Sequence, residues 1–283
     1  MTRTARSFLA LTALLVAAAL ALAHGRNGLQ ALRLADNTAV APDTFSEALA
    51  AHRFILVGER HTVEGHHQGQ LEVIRRLAAQ DRPLAIGMEM MRSDSQAYLD
   101  AWVAGKLSEA EFQAVYEDNW NYPWTLYRPI FLFAREQGLP VIGLNVPREI
   151  TRQVAREGFG SLSKDQRGDL PFVTCAVDDA YLAYIQEAYG AHAHGNMQFE
   201  HFCEAQLVWD KAMAVNAVKF VESAPERRMV ILAGTGHARK GGIPRQLASL
   251  GQTSYAVVLP EIPGVLDAQT VGVGDADFLL QGL

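Results

Sequence analysis

Phe54-Ile55-Leu56-Val57-Gly58-Glu59-Arg60-His61 runs four apolar residues into a glycine turn that ends on an imidazole. Met229-Val230-Ile231-Leu232-Ala233-Gly234-Thr235-Gly236-His237 repeats the arrangement late in the chain. Uninterrupted apolar runs of this length, bounded by glycine, read as strands covered on both faces, which is the habit of a parallel sheet. Each run closes on Gly-x-x-His, so two such strands can deliver two imidazoles to one edge of the sheet. Imidazoles converging in a cleft are what a metal or haem site requires.

Working outward, further strand-like runs occur at 84–88, 141–144 and 255–259. Between them lie helical patterns. Residues 64–79 carry Leu71, Ile74, Leu77 and Ala78 on one stripe. Residues 93–103 and 108–115 read as two short helices, the second opened by a Ser108/Glu111 capping box. A helix over 129–137 has Pro129 in its first turn and Gly138 as its stop, and one over 150–157 ends at Gly158. Strands alternating with helices imply an α/β fold with a mostly parallel central sheet flanked by helices. The intervals 93–124 and 161–223 are longer than crossovers need and are largely helical, so they are expected to be insertions forming a cap or lid. The domain is expected to span 44–283, with 24–43 as a linker that includes a loop at 36–42.

The N-terminus is separate in character. Arg3 and Arg6 precede an apolar run over 8–22, and Ala21-Leu22-Ala23 offers small residues on either side of Leu22. Residues 1–23 therefore read as a secretory signal cleaved before His24, which predicts a periplasmic or secreted protein. The other reading is a short uncleaved membrane anchor. No Cys follows the apolar run, so a lipid anchor is not expected. Cys175 and Cys203 are the only cysteines, and in an exported protein they are most simply one disulfide. Of the 283 residues, 49% are hydrophobic and 20% charged, which fits a core-forming globular protein and excludes a disordered one. The net charge is −6 and no basic cluster interleaves with aromatics, so no nucleic-acid partner is expected. A small ligand can still meet local positive charge.

In open parallel sheets, ligands bind beyond the carboxyl ends of the strands. Glu59 and His61 follow the first strand, Glu89 the second, Asn145 and Arg148 the third, and Gly236 and His237 the fourth. Each has a bland explanation: a His after a glycine turn is often a surface residue, and a strand-end Glu often favours the next helix N-terminus. Four at one edge point to a functional cleft. His66 and His67 open the following helix, where the neutral, ligand-competent imidazole is favoured. His66 is read as an exposed first-turn residue. His192, His194 and His201, with Met197 nearby, are read as belonging to a solvated loop. No Gly-x-Ser-x-Gly elbow, phosphate-binding loop or His-Glu-x-x-His pair is present.

Several elements together carry a family resemblance. They are Gly58-Glu59-Arg60-His61 with His66-His67-Gln68, then Glu89-Met90, Tyr127-Arg128-Pro129-Ile130 and Asn145-Val146-Pro147-Arg148. Ala205-Gln206 with Asp210 and Met213-Ala214 follow, and then Gly234-Thr235-Gly236-His237 with Ile243-Pro244. In this order the chain resembles the ChaN-like haem-binding uptake family, within the Tiki/erythromycin-esterase-like superfamily, over roughly residues 44–263. The resemblance implies an exported protein that binds haem in iron uptake, a homodimer with haem held between subunits, and a haem transport system as partner. It would assign haem contacts to His61, His67, Arg128, Asn145, Arg148 and His237, with Arg128 or Arg148 pairing with propionates. The axial ligand would be drawn from His61, His237, His192, His194 and the tyrosines. The wider superfamily implies a hydrolase instead. There Glu59, His61, Glu89 and His237 would bind Zn²⁺ or Mn²⁺ and activate water, or act as a metal-free acid–base set.

Overall fold

In the computed structural model, residues 29–192 and 198–283 are described. The expected signal segment, His194 and Met197 lie outside them, as does the side chain of His192. In chain order the elements are β1 (Gln30–Arg33), β2 (Thr38–Val40), α1 (Pro42–Ala50), β3 (Phe54–Glu59), α2 (Glu64–Ala78), β4 (Leu84–Arg92), α3 (Gln96–Val103), α4 (Glu109–Asn119), α5 (Trp124–Gln137), β5 (Val141–Asn145), α6 (Arg148–Glu157), α7 (Lys164–Arg167), α8 (Asp179–His192), α9 (Phe199–Ser223), β6 (Arg228–Gly234), α10 (Thr235–Ala238), α11 (Ile243–Ser249), β7 (Tyr255–Pro260) and β8 (Phe278–Gln281).

The eight strands form one sheet in the order β2-β1-β8-β7-β3-β6-β4-β5. Strands β3 to β8 pair in parallel, and the β1–β2 hairpin adds to β8 antiparallel. The continuous apolar runs are the parallel core: every residue of β3 and of β6 is buried. Their register pairs Phe54 with Met229 and Glu59 with Gly234, so the two Gly-x-x-His turns leave the sheet at the same level. That level is the carboxyl edge. The expected mostly parallel α/β sheet is what the chain forms.

Two hydrophobic layers cover the sheet. On one face, Val57, Ile86 and Leu232 pack with Ile74 and Leu77 of α2 and with Trp102, Phe112 and Phe131. The other face packs Leu56, Ile231 and Val257 against Ala214, Ala217 and Val221 of α9. A third cluster joins Ile150 and Val154 of α6 to Ile185 of α8 and to Phe202 and Val208 of α9.

This layering corrects the expected insertions. Residues 93–124 do not form a lid: α3 and α4 belong to the main core, where Trp102 stacks on Phe112 at 4.5 Å and donates its indole N–H to the Phe131 carbonyl. Only the stretch from Asn119 to Tyr122 reaches the ligand edge. Residues 161–223 do include a cap, but it ends midway along α9. The first turns of that helix pack on α6 and α8, whereas its later turns cover the sheet. Cys175 and Cys203 form a disulfide that ties the cap loop to α9.

Other boundaries also differ. The expected linker 24–43 contains β1 and β2, and α1 begins at Pro42. These strands are short and half-exposed, so they lack the apolar run that marks a covered strand. Pro129 lies inside α5, not in its first turn, because the helix begins at Trp124. Its missing N–H leaves the carbonyl of exposed Thr125 without a helical partner. Gly138 ends that helix at φ 61° as expected, and the Ser108/Glu111 capping box is formed.

Candidate ligand cleft

Glu59 closes β3 with its carboxylate 1% exposed beneath the sheet edge. Three groups converge on it. Tyr127 from α5 donates its hydroxyl hydrogen to Oε1, His61 Nδ1 lies 2.6 Å from the same oxygen, and His67 Nδ1 lies 2.8 Å from Oε2. Burial alone would push the Glu59 pKa up, but hydrogen bonds and charge attraction from His61 and His67 outweigh it and hold it at about 2. Burial likewise works against a charged His61, and the Glu59 hydrogen bond with the field of Glu89 raises its pKa overall. The ring of His61 is boxed by Trp120 at 5.1 Å and Tyr122 at 4.9 Å, both from the turn after α4.

A second arm meets the first from the cap side. Asp210, fully buried on α9, accepts from the Tyr181 hydroxyl at 2.5 Å and lies 2.7 Å from His237 Nδ1. Burial raises the Asp210 pKa. Burial disfavours the charged His237, yet Glu89 and Asp210 raise its pKa to about 9. The pair therefore keeps a proton through neutral pH. Both arms share one plan: a tyrosine hydroxyl on a buried carboxylate, and that carboxylate on Nδ1 of a histidine.

Glu89 stands between them. Its Oε2 accepts from the Gly234 N–H at 2.6 Å, and its Oε1 lies 3.8 Å from His237 Nε2. A Cβ added to Gly234 would stand 3.3 Å from His61 Nε2 and 3.6 Å from Glu89 Oε2, so this glycine leaves room for the imidazole edge. Gly236 has a similar duty, since a Cβ there would collide with the Tyr184 hydroxyl. Above these groups opens a cleft of about 780 Å³, walled by Trp120, Tyr122, Phe202 and Trp209 and including Tyr184.

The predicted residues divide. Glu59, His61, Glu89, Asn145, Arg148 and His237 all line the cleft. Asn145 acts on its frame: it donates to the Glu89 carbonyl at 2.9 Å and accepts from the Val146 N–H at 2.8 Å. His67 is only 2% exposed and does not reach the cleft; it backs Glu59 from behind. His66 is buried, not exposed. Its Nδ1 accepts from the Arg60 N–H at 2.9 Å, and burial lowers its pKa to about 4. Arg128 does not reach the cleft either, because its guanidinium is taken in a two-pronged contact by Glu109. His201 lies on α9, not in a loop, with Nδ1 3.2 Å from the Arg156 carbonyl.

The sequence named the tyrosines only as a group, as candidate axial ligands, and gave no site role to Asp210. Tyr127 and Asp210 stood inside the quoted family elements, which was the available signal. The expected metal set is not supported. Among the described residues no group of three or more His, Cys, Asp or Glu is arranged to hold a metal ion. The physical reason is that the carboxylates are already engaged: Tyr127 and His61 hold one oxygen of Glu59, His67 lies against the other, and a backbone N–H holds one oxygen of Glu89.

The sheet, the cap and the paired histidine arms define an α/β protein with a cleft at the carboxyl edge of its strands. Residues 45–247 match the family described as haem-binding uptake, Tiki superfamily, ChaN, and the chain belongs to that family. The fold agrees. The structure of ChaN of Campylobacter jejuni, which concerns cofacial haem binding, superposes with a TM-score of 0.70 at 18% identity, covering 90% of this chain and 97% of that one. A mutant of the erythromycin esterase EreC in its open conformation gives a TM-score of 0.50 at 14% identity, over 89% of this chain and 82% of that one. Protein RETICULATA-RELATED 5, chloroplastic, of Arabidopsis thaliana is 27% identical over 128 residues. That match takes in 43% of this chain and only 17% of the plant protein's length. Family membership links the chain to haem binding and uptake.

Proposed function

We propose that this is an exported haem-binding protein of iron uptake that holds haem in the cleft at the carboxyl edge of β3, β4, β5 and β6. The observation that carries this reading is the orientation of the two cleft histidines. His61 and His237 each commit Nδ1 to a buried carboxylate, which leaves Nε2 toward Glu89 and Gly234. Metal-ligating histidines are held in this way, with the second ring nitrogen on a carboxylate that fixes the ring and raises its basicity. The cleft also fits an organic cofactor: about 780 Å³ is within the usual range for such sites, and aromatic side chains wall it. Haem would supply an iron with open coordination positions, and His61 and His237 are the side chains that would ligate it, His237 giving up its Nε2 proton on binding. His67, Tyr127, Tyr181 and Asp210 hold those rings in place, and Asn145 and Arg148 shape the rim.

Export is supported by the sequence over 1–23 and agrees with a disulfide-bonded cap, since disulfides persist in oxidising compartments. Pairing into a homodimer and delivery to a haem transport system complete the proposal. Titrating the protein with haemin tests it: a saturable Soret shift with defined stoichiometry is expected, with haem-dependent dimerisation by light scattering. A Soret change that never saturates, or matches that of an unrelated protein, contradicts it.

A second reading rests on the two arms themselves. A histidine oriented by a buried carboxylate on each side of Glu89 is an acid–base constellation, which suits metal-free hydrolysis. Ester or peptide turnover abolished by both Glu89→Gln and His237→Ala, with the fold retained, would favour it. Turnover unaffected by either variant would remove it.

A further inference from the structure

We infer that Arg60, Arg148 and Arg152 form a carboxylate-recognition subsite on the rim of the cleft, selecting a ligand with a flat apolar body and free acid groups on its edge. The inference deepens the haem-binding reading and rests on it.

The three guanidinium groups belong to two elements. Arg60 follows Glu59 at the end of β3, whereas Arg148 and Arg152 lie one helical turn apart on α6, and all three line the cleft. What distinguishes them is missing counter-charge. Arg148 donates to the Asn121 side-chain oxygen at 3.0 Å and the Asn119 carbonyl at 2.9 Å, both neutral acceptors. These bonds aim the side chain without discharging it. Arg60 and Arg152 are exposed, and neither makes an ion pair among the described residues. Arg92, the fourth arginine of the cleft, shows the contrast, because Asp94 and Asp118 both pair with it. Arg128, outside the cleft, is likewise discharged by Glu109.

Three uncompensated cations around one cleft are conspicuous in a chain of net charge −6. The carboxylates that line the cleft do not cancel them, since Glu59 is engaged by His61 and His67, and Glu89 by the Gly234 N–H and His237. Guanidinium groups match carboxylates in charge and in planar, two-pronged geometry. Their partner is therefore an anion at the ligand's edge, while aromatic rings receive the body. For a porphyrin those anions are its propionates.

Haemin and its dimethyl ester, titrated in the same detergent buffer, test this directly, because the ester keeps the ring and iron and loses only the negative charges. Each charge-assisted contact is worth roughly tenfold in affinity, so the native protein is expected to prefer haemin by roughly a hundredfold. An Arg60→Gln/Arg152→Gln double variant should lose most of that preference while still binding the ester, and added salt should narrow the gap. Equal affinity of the native protein for both compounds overturns the subsite and leaves the haem reading standing. Binding of neither compound overturns the haem reading and the subsite with it. The native-protein comparison needs no variant, so it holds even if the double variant fails to fold.

Discussion

The two arms of the cleft repeat one plan and rest on different foundations. Tyr127–Glu59–His61 is built from the sheet and the main core. Glu59 ends the central strand, Tyr127 sits on α5, and His67 from α2 adds a third contact. Tyr181–Asp210–His237 depends on the cap: Tyr181 comes from α8 and Asp210 from α9, at the point where that helix passes from cap to core. The electrostatics follow the architecture. Two histidines keep Glu59 ionised down to about pH 2 against the effect of burial. With fewer partners, Asp210 is driven upward by burial, and His237 carries the proton up to about pH 9. One arm is thus held by the sheet and the main core, the other by the packing of α8 on α9.

The comparison can be broken from the framework side first. Glu59→Ala leaves Tyr127, His61 and His67 without their shared partner in a buried setting, and should cost about 3–5 kcal/mol in urea unfolding, the largest effect expected. Removing the Cys175–Cys203 bridge by Ser substitution opens a loop with a sequence separation of 28 residues. Loop entropy puts its contribution at about 3 kcal/mol. The cap loop should then become the first site cut in limited proteolysis, with the sheet protected. Asp210→Ala removes the partner of His237 and Tyr181, and a loss of about 2 kcal/mol is expected, smaller than for Glu59 because fewer groups are stranded. Equal losses for Glu59→Ala and Asp210→Ala would erase the distinction between the arms.

The smallest effect is a pH dependence. The folded pKa of His237 is raised from the ordinary 6.5 to about 9, so the stability it contributes is full below pH 6.5 and is lost as pH rises through 9. The melting temperature of the ligand-free protein should therefore fall over that interval, and His237→Gln should flatten the fall. An unchanged slope in the variant would show that other groups set it.

Much of the fold was legible because covered parallel strands cannot disguise themselves. The runs at 54–57 and 229–233 are apolar on both faces, and the Gly-x-x-His turns beyond them follow from that. The strand-end sorting of Glu59, Glu89, Asn145 and His237 then located the cleft. The marginal strands β1 and β2 are short and half-exposed, and β8 offers only the three apolar residues Phe278 to Leu280, so none carries a long covered run and none was found. The second layer of the site was hidden for another reason. Tyr127 bonds a carboxylate 68 residues away, and Asp210 meets partners 27 and 29 residues away. Within their helices these residues look like ordinary core and surface positions. Arg128 shows the converse: it had the right charge for a ligand, and Glu109 from the preceding helix already holds it.

The central claim is that haem binds in this cleft between the two arms, and haemin titration of the native protein beside His61→Ala, His237→Ala and His52→Ala tests it most directly. His52 lies at the end of α1, outside the cleft. The account predicts a saturable Soret band for the native protein and for His52→Ala, displaced or weakened at least tenfold in affinity when His61 or His237 is removed. The same band and affinity in all four proteins would contradict it.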